Sequence, residues 1–209
     1  MVAGRSAWGD VGGDPIVSHK RTSKIVTPKG CWGTPNWLYC PLEQEFNILC
    51  DAAANAENKK TRNVWFGPGS EPRWQDALAI PDWQESTGVR NFWLNPDYAA
   101  VMIAAFMKKA YEESLKGATV VCLVPVSGDA WWINYALKAQ EIRYIRGRVK
   151  FVGYDDQGNQ VNGSPMFSSC VVIFKPQWSR DLARFVDPSQ FKPQIGKTIE
   201  QPKKGSVPA

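Results

Sequence analysis

Residues 118–126, Ala-Thr-Val-Val-Cys-Leu-Val-Pro-Val, form a nearly unbroken apolar run. A run of this length and β-branched content is typical of a strand that is buried on both faces. It follows residues 99–116, in which apolar residues recur at helical spacing and Gly117 supplies a stop. An apolar segment at 91–94 predicts a strand before that helix. A strand, a helix and a strand in this order form a right-handed parallel unit, so the sequence predicts an α/β fold.

Shorter segments on both sides extend this pattern. They predict strands at 46–50, 62–66, 142–151 and 169–174, and a helix at 130–140. The polar residues 155–163 lie between the last two strands and predict the tip of a hairpin. The predicted architecture is therefore a mostly parallel central sheet that ends in an antiparallel C-terminal hairpin.

Length and composition predict one domain with loose ends. The chain has 209 residues, of which 44% are apolar and 12% aromatic, and this is enough for one domain with a substantial core. Residues 1–27 have little apolar periodicity and predict a flexible N-terminal tail. Residues 28–176 carry the predicted elements. Residues 177–209 are polar and proline-punctuated, and predict a C-terminal segment with a basic, largely flexible tail.

Charge and cysteine usage narrow the possible functions. The net charge of +5 favours an anionic partner without requiring one. The chain has five scattered cysteines without a Cys-x-x-Cys pair, and His19 is its only histidine. These features argue against a zinc site and against Cys/His or Ser/His catalysis, so no metal is expected. Scattered thiols and the lack of a long apolar run predict a cytoplasmic protein without a membrane span.

The tetrapeptide Asn95-Pro96-Asp97-Tyr98 directly follows the predicted strand at 91–94. In an open α/β sheet, ligands bind at the carboxyl ends of the strands. The amide oxygen of Asn95 can accept from an exocyclic amine, and Tyr98 offers a face for stacking. This pairing suits an adenine taken out of its duplex. An ordinary strand-to-helix turn is the alternative, because Asn, Pro and Asp are common turn residues.

Several motifs, in this order and spacing, resemble the phage-type DNA N6-adenine methyltransferases, the Dam-like family, over residues 31–176. They are Trp32-Gly33-Thr34-Pro35, Glu45-Phe46, Asp51-Ala52-Ala53-Ala54, Asn58, Asp82-Trp83, Trp93-Leu94-Asn95-Pro96-Asp97-Tyr98, Gly117-Ala118-Thr119-Val120-Val121, Leu123-Val124-Pro125, Trp131-Trp132, Arg146-Gly147-Arg148, Phe151 and Ser164-Pro165. The resemblance implies a Rossmann-like class I methyltransferase fold with helices on both faces of the sheet, and residues 28–176 as the catalytic domain. It also implies transfer of a methyl group from S-adenosylmethionine to the N6 amine of a flipped adenine in a short duplex site, and a phage or prophage origin.

The resemblance also implies roles for individual residues. Thr34 and Pro35 correspond to the loop that holds the methionine part of the cofactor, and Asp51 with Ala53 corresponds to the first-strand turn beneath it. Asp82 is implied to accept from the cofactor's adenine amine. The implied cofactor residues are completed by Trp32, Asn58 and Trp83, and the implied catalytic loop by Asn95, Pro96, Asp97 and Tyr98. Such loops usually carry a second proline at the position of Asp97.

Some of these residues have structural alternatives. Asp51 and Asp82 are also common turn or cap residues, and Trp32 is also suited to closing the core. The predicted DNA-binding residues are Trp131, Trp132, Arg143, Arg146, Arg148 and Lys150. The tryptophans are equally suited to core packing. The four basic residues alternate along the predicted strand at 142–151, where like charges repel one another unless an anion meets them.

Two other functions remain compatible with the sequence. A non-enzymatic nucleic-acid-binding protein would explain the charge but would leave Thr34, Pro35, Asp51 and Asp82 without a role. A methyltransferase acting on RNA or on a protein glutamine would keep the cofactor and the catalytic loop. We expect double-stranded DNA as the partner, and a monomer or weak homodimer.

Overall fold

In the computed structural model, the described residues are 24, 27, 32–176 and 184–186. Within them the α-helices are α1 (Asn36–Phe46), α2 (Trp83–Thr87), α3 (Ala100–Leu115) and α4 (Ala130–Asn134). The strands are β1 (Cys50–Asp51), β2 (Val64–Trp65), β3 (Asn91–Leu94), β4 (Thr119–Pro125), β5 (Glu141–Ile145), β6 (Phe151–Tyr154), β7 (Gln160–Gly163), β8 (Ser169–Phe174) and β9 (Arg184–Val186). Two single-turn 3₁₀ helices lie at Pro72–Trp74 and Ala136–Lys138.

Seven strands form one sheet in the order β2-β1-β3-β4-β8-β5-β9. The first four strands in this order run parallel to one another, and β8 runs antiparallel to both β4 and β5. Strands β6 and β7 form a separate antiparallel ribbon. The predicted mixed α/β fold, with a mostly parallel sheet and an antiparallel C-terminal hairpin, is confirmed.

Strand β4 lies in the middle of the sheet and is buried on both faces. Because successive side chains of a strand point to opposite faces, β4 contributes to two separate cores. Val120, Cys122 and Val124 pack in one core with residues of α3 and α4. Val121 and Leu123 pack in the other core with residues of α1. The prediction of helices on both faces is thereby confirmed.

Helix α3 agrees with the predicted helix at 99–116 to within one residue at each end. Its buried apolar side chains follow helical spacing, namely Ile103, Phe106, Met107 and Ala110. The helix is followed by Gly117, whose φ of 108° favours glycine. Because α3 connects two parallel strands, it runs antiparallel to them. Its N-terminus therefore lies at the carboxyl edge of the sheet, and its C-terminus at the amino edge.

The prediction of a strand at 46–50 was wrong in its position. Residues 36–46 form helix α1, and the strand at this point comprises only Cys50–Asp51. Leu38, Tyr39 and Leu42 bury one face of α1 against the sheet. Pro41 lies inside this helix, and an internal proline normally argues against one. Tertiary packing of the buried face outweighs that local preference.

The predicted elements after β4 are shorter than expected. The segment at 130–140 forms α4 and one 3₁₀ turn instead of a continuous helix. The strand predicted at 142–151 ends at Ile145, and residues 146–150 leave the sheet before β6 begins. The polar segment at 155–163 contains the turn of the β6–β7 ribbon and also β7 itself. The ribbon therefore stands apart from the main sheet.

Most residues of the two predicted tails, 1–27 and 177–209, lie outside the described residues. Arg184–Val186 are an exception, since they form β9 and pair in parallel with β5. None of the helices in residues 32–176 is long and apolar enough to cross a membrane.

The close approach of two loops at Gly67 generates a stability prediction. A Cβ atom on Gly67 would lie 1.8 Å from the Ala54 carbonyl oxygen, and Gly67 has a φ of 136°. Gly67→Ala should lower the free energy of unfolding by about 3 kcal/mol or more. Alanine is strained at this φ, and its Cβ atom would also force the Ala54 backbone to move. Gly88→Ala is the matched control, since Gly88 has a φ of 72° with open space around it. It should cost about 1 kcal/mol. Urea denaturation measures both, and equal losses would contradict the close-packing argument.

Candidate active site

A cavity of about 470 Å³ opens at the carboxyl end of β3. All four residues of the predicted catalytic loop line it. Its other lining residues are Trp32, Ala99, Phe151, Gly163, Ser164, Pro165 and Phe167. We call it the aromatic cavity. Its position agrees with the edge at which α/β sheets bind ligands.

The side-chain amide of Asn95 is held on both sides. The Tyr98 hydroxyl donates to Asn95 Oδ1 at 2.7 Å and also lies 3.2 Å from the Leu123 carbonyl oxygen. Asn95 Nδ2 donates to Thr34 Oγ1 at 3.2 Å. Burial raises the pKa of Tyr98 well above its ordinary value, so the hydroxyl stays a neutral donor. Asn95 Oδ1 keeps a second lone pair for a further donor.

Two aromatic rings that the sequence reasoning did not assign to the site pack edge-on against Tyr98. The centroid of Phe167 lies 5.4 Å from that of Tyr98, and the centroid of Phe151 lies 6.2 Å away. Their sequence positions carry no spacing signal that links them to the loop after β3, since they come from β6 and from the loop before β8. Folding alone brings the three rings together.

Trp32 joins the β6–β7 ribbon to the aromatic cavity. Added Cβ atoms on Gly153 and Gly163 would lie 2.6 Å and 2.7 Å from Trp32 Cζ3, so only glycine leaves room for the ring. The neighbouring Gly33 exchanges two backbone hydrogen bonds with Val152, of 2.8 Å and 2.9 Å. Trp32 therefore both lines the aromatic cavity and packs against the ribbon, and its expected contact with the cofactor stays a prediction.

A second, more polar cavity of about 670 Å³ contains three of the predicted cofactor residues, Thr34, Pro35 and Asn58. Its lining also includes Thr27, Gly33, Asn36, Trp37, Glu57, Lys59, Lys60, Lys150, Val152, Tyr154, Gln160 and Asn162. We call it the polar cavity. Thr34 lines the polar cavity, and its hydroxyl oxygen accepts a hydrogen bond from Asn95, which lines the aromatic cavity. The two cavities therefore meet at this hydrogen bond.

Asp51 and Ala53 shape the loop that follows β1. The buried Asp51 carboxylate accepts from the backbone N–H groups of Ala53 at 3.3 Å and Lys60 at 2.9 Å. Burial raises the pKa of Asp51 to about 6, and these two hydrogen bonds partly oppose the rise. Asn58 closes the same loop, since its Oδ1 accepts from the Asn55 backbone at 2.8 Å. Asp51 thus fixes the loop that forms one wall of the polar cavity.

Asp82 and Trp83, for which a cofactor role is expected, line neither of these two cavities. Asp82 caps α2 by accepting from the Glu85 backbone at 2.9 Å, and it lies 3.8 Å from the ammonium group of Lys116. Lys116 follows the C-terminus of α3, at the amino edge of the sheet and opposite the catalytic loop. Trp83 is fully buried and donates to the Ala77 carbonyl oxygen. Asp82 is thus a helix-cap residue, which agrees with the structural alternative given for it above, and Trp83 belongs to the core.

Asp97 is exposed at the rim of the aromatic cavity, and its side chain acts locally. Its Oδ1 accepts from the backbone N–H of Ala99 at 3.0 Å. Ala99 is the residue that precedes the first turn of α3. The carboxylate therefore stabilises the turn between Pro96 and α3 by a hydrogen bond. A second proline in this place would act instead through its restricted φ.

The predicted DNA-binding residues separate into buried and exposed sets. Arg143 is buried and forms ion pairs with Glu45 and, at 2.7 Å, with Glu141, so its predicted phosphate contact is wrong. Trp131 and Trp132 are buried in the core beside α3, which agrees with the core alternative. The exposed residues are Arg146, Arg148 and Lys150, in the segment between β5 and β6. The alternation in sequence did not reveal the difference, because β5 ends at Ile145.

In the part of the chain that the structure describes, no group of three or more His, Cys, Asp or Glu side chains is placed to hold a metal ion.

The buried carboxyl of Asp51 predicts a specific pH dependence of stability. In the folded chain it keeps its proton up to about pH 6, whereas its ordinary pKa is 3.8. The folded state therefore binds this proton more tightly, and the Asp51 contribution to stability falls as the pH rises from 4 to 7. Relative to Asp51→Asn, the wild-type chain should lose on the order of 3 kcal/mol over this range. Urea unfolding at both pH values measures this difference. A pH-independent offset between the two proteins would contradict the prediction.

Comparison with known proteins identifies the family of this chain. The family model described as DNA N-6-adenine-methyltransferase (Dam) matches residues 21–197, which include both cavities. A DNA N-6-adenine-methyltransferase of Haemophilus phage HP1 (strain HP1c1) is 32% identical over 156 residues, covering 71% of this chain and 80% of the relative. The family predicted from the sequence is confirmed: the chain belongs to the DNA N-6-adenine-methyltransferase (Dam) family.

Proposed function

We propose that the chain transfers a methyl group from S-adenosylmethionine to the exocyclic N6 amine of an adenine that is flipped out of duplex DNA. The observation that carries this proposal is the Asn95 amide, held between Thr34 and Tyr98 where the polar and aromatic cavities meet. One cavity suits a polar methyl donor and the other a planar base. Family membership supports the same reaction.

The sheet order supports a Rossmann-like class I methyltransferase fold. From the central pair of β1 and β3, the chain proceeds outward to β2 on one side and to β4 on the other. The strand order therefore reverses between β1 and β3, and such a switch point is where open α/β sheets bind their ligands. The loop after β1 and the catalytic loop after β3 flank this point.

The polar cavity suits S-adenosylmethionine in size and in chemistry. Its volume of about 670 Å³ lies within the range of pockets that enclose small ligands. Thr34, Asn58 and the backbone around Pro35 would hold the methionine part, and Lys60 would attract its carboxylate. The loop that Asp51 orders would complete the walls, and Trp32 lines the adjoining aromatic cavity. When bound, the cofactor supplies an electrophilic methyl group on a sulfonium centre.

The catalytic loop would bind and orient the adenine amine. Asn95 Oδ1 and the Pro96 carbonyl oxygen would each accept an N–H of the amine. These contacts would align the nitrogen lone pair with the methyl group and stabilise the positive charge that develops on nitrogen. Tyr98 would hold the base by stacking, an interaction worth roughly 1–3 kcal/mol per base. Phe151 and Phe167 hold the Tyr98 ring through T-shaped contacts.

The exposed basic residues would bind the DNA backbone. Arg146, Arg148 and Lys150 lie in the segment that leads into β6, whose Phe151 lines the aromatic cavity. Phosphate contacts at this point would set the position of the duplex over the cavity, without reading its sequence.

Transfer of a labelled methyl group tests the proposed function. With S-adenosylmethionine and unmethylated duplex DNA, the wild-type protein should yield N6-methyladenine, identified by mass spectrometry of the digested nucleosides. Asn95→Ala should abolish transfer while it leaves cofactor affinity within a few-fold, because Asn95 contacts the cofactor loop only through Thr34.

Parallel reactions with RNA and with protein substrates serve as controls. Label in RNA or protein but not in DNA would overturn the proposed substrate. Full activity of Asn95→Ala would overturn the proposed catalytic loop.

Two variants, one at exposed arginines and one at a buried arginine, test the proposed DNA contact. The double variant Arg146→Ala, Arg148→Ala should weaken DNA binding and reduce the slope of log affinity against log salt by about 0.9 for each phosphate that the protein no longer neutralises. Arg143→Ala should leave that slope unchanged but lower the free energy of unfolding by about 3–5 kcal/mol, since it removes a buried ion-pair partner of Glu141. Fluorescence anisotropy at several salt concentrations and urea denaturation measure the two effects. An unchanged salt slope in the double variant would contradict the proposed contact.

A further inference from the structure

We propose that Met166 enters the base stack of the duplex and fills the space that the target adenine leaves when it flips. This inference rests on the proposed function and extends it to a residue that neither the sequence motifs nor the proposed chemistry include. Enzymes that act on a flipped base must unstack it at a cost in free energy. Apolar side chains, methionine among them, can insert between base steps and unstack them.

The position of Met166 in the fold carries the proposal. Its two neighbours in sequence, Pro165 and Phe167, both line the aromatic cavity. Met166 itself is 94% exposed. We infer that its side chain lies at the mouth of that cavity, because it stands between two lining residues. A base held against Tyr98 would leave its gap in the duplex beside this mouth.

The loop that carries Met166 is anchored on both sides. Arg148 Nη1 donates to the Pro165 carbonyl oxygen at 3.1 Å. On the other side, the backbone N–H of Val126 donates to the Ser168 carbonyl oxygen at 2.9 Å, and the ring of Phe167 packs against Tyr98. The tip of the loop is thus fixed relative to the base-binding ring, and an inserted side chain needs such support.

The surroundings of Met166 indicate DNA as its partner. Arg148 contacts the Met166 loop directly, and Arg146 and Lys150 are exposed in the same segment. An exposed apolar side chain next to a cation suits a surface where phosphates surround stacked bases. An unbranched thioether side chain can also adapt to an irregular gap.

The test compares two duplexes that differ only opposite the target adenine. One carries the normal thymine, and the other carries an abasic site, so that its adenine is already unpaired. Met166→Ala should lower kcat/KM at least tenfold on the paired duplex and less than threefold on the abasic duplex. Met166→Leu should restore most of the activity. Leu115→Ala is the control, because Leu115 is also an exposed apolar residue but lies at the opposite edge of the sheet.

Fluorescence of 2-aminopurine at the target position reports flipping independently of methyl transfer. The wild-type protein should raise this fluorescence on binding, and Met166→Ala should raise it much less at saturating protein.

Unchanged kinetics and fluorescence in Met166→Ala, or equal losses on both duplexes, would overturn the role of Met166. Wild-type protein that binds and flips without transferring a methyl group would overturn the proposed function and leave this inference standing. Wild-type protein that does not bind DNA would overturn both.

Discussion

Burial of β4 on both faces is the constraint on which the rest of the structure depends. A strand with apolar side chains on both sides requires a cover on each face, and α1 on one side and α3 with α4 on the other provide it. The same burial places β3 beside β4, in register from Asn91 to Leu94. The residue after Leu94 must then emerge at the carboxyl edge of the sheet. The packing of the core thus decides where Asn95 lies, and the proposed role of its amide depends on that position.

The hydrogen bonds around Asn95 fix the orientation of its side chain. Thr34 and Tyr98 bind opposite ends of one amide, and the Tyr98 hydroxyl also reaches the backbone of β4 through Leu123. The amide is therefore oriented before any ligand arrives, and this preorganisation is what electrostatic stabilisation of a developing charge requires. Asp97 adds a bond at the start of α3, so the turn is held without a second proline.

Local patterns predicted the long elements well and the short ones poorly. The helix at 100–115 and the strands at 91–94 and 119–125 have strong periodicity or continuous apolar runs, and they lie where expected. Helix α1 was missed because Pro41 opposes it locally and only its buried face stabilises it. The burial of Trp83 and Arg143 was not predicted for a related reason. The sequence around a carboxylate, an indole or a guanidinium does not show whether that group contacts a ligand or a buried partner from a distant segment.

The sequence by itself determined the family, the α/β class and the loop at Asn95–Tyr98, because these depend on residues that are close together along the chain. Tertiary structure alone decided which charged residues are buried and which are exposed. Glu45 and Glu141 pair with Arg143, whereas Arg146, Arg148 and Lys150 are exposed. It also decided that Phe151 and Phe167 pack against Tyr98 and that Met166 projects beside them. The physical reason is that burial and ion pairing depend on contacts between segments far apart in sequence, which no local pattern encodes.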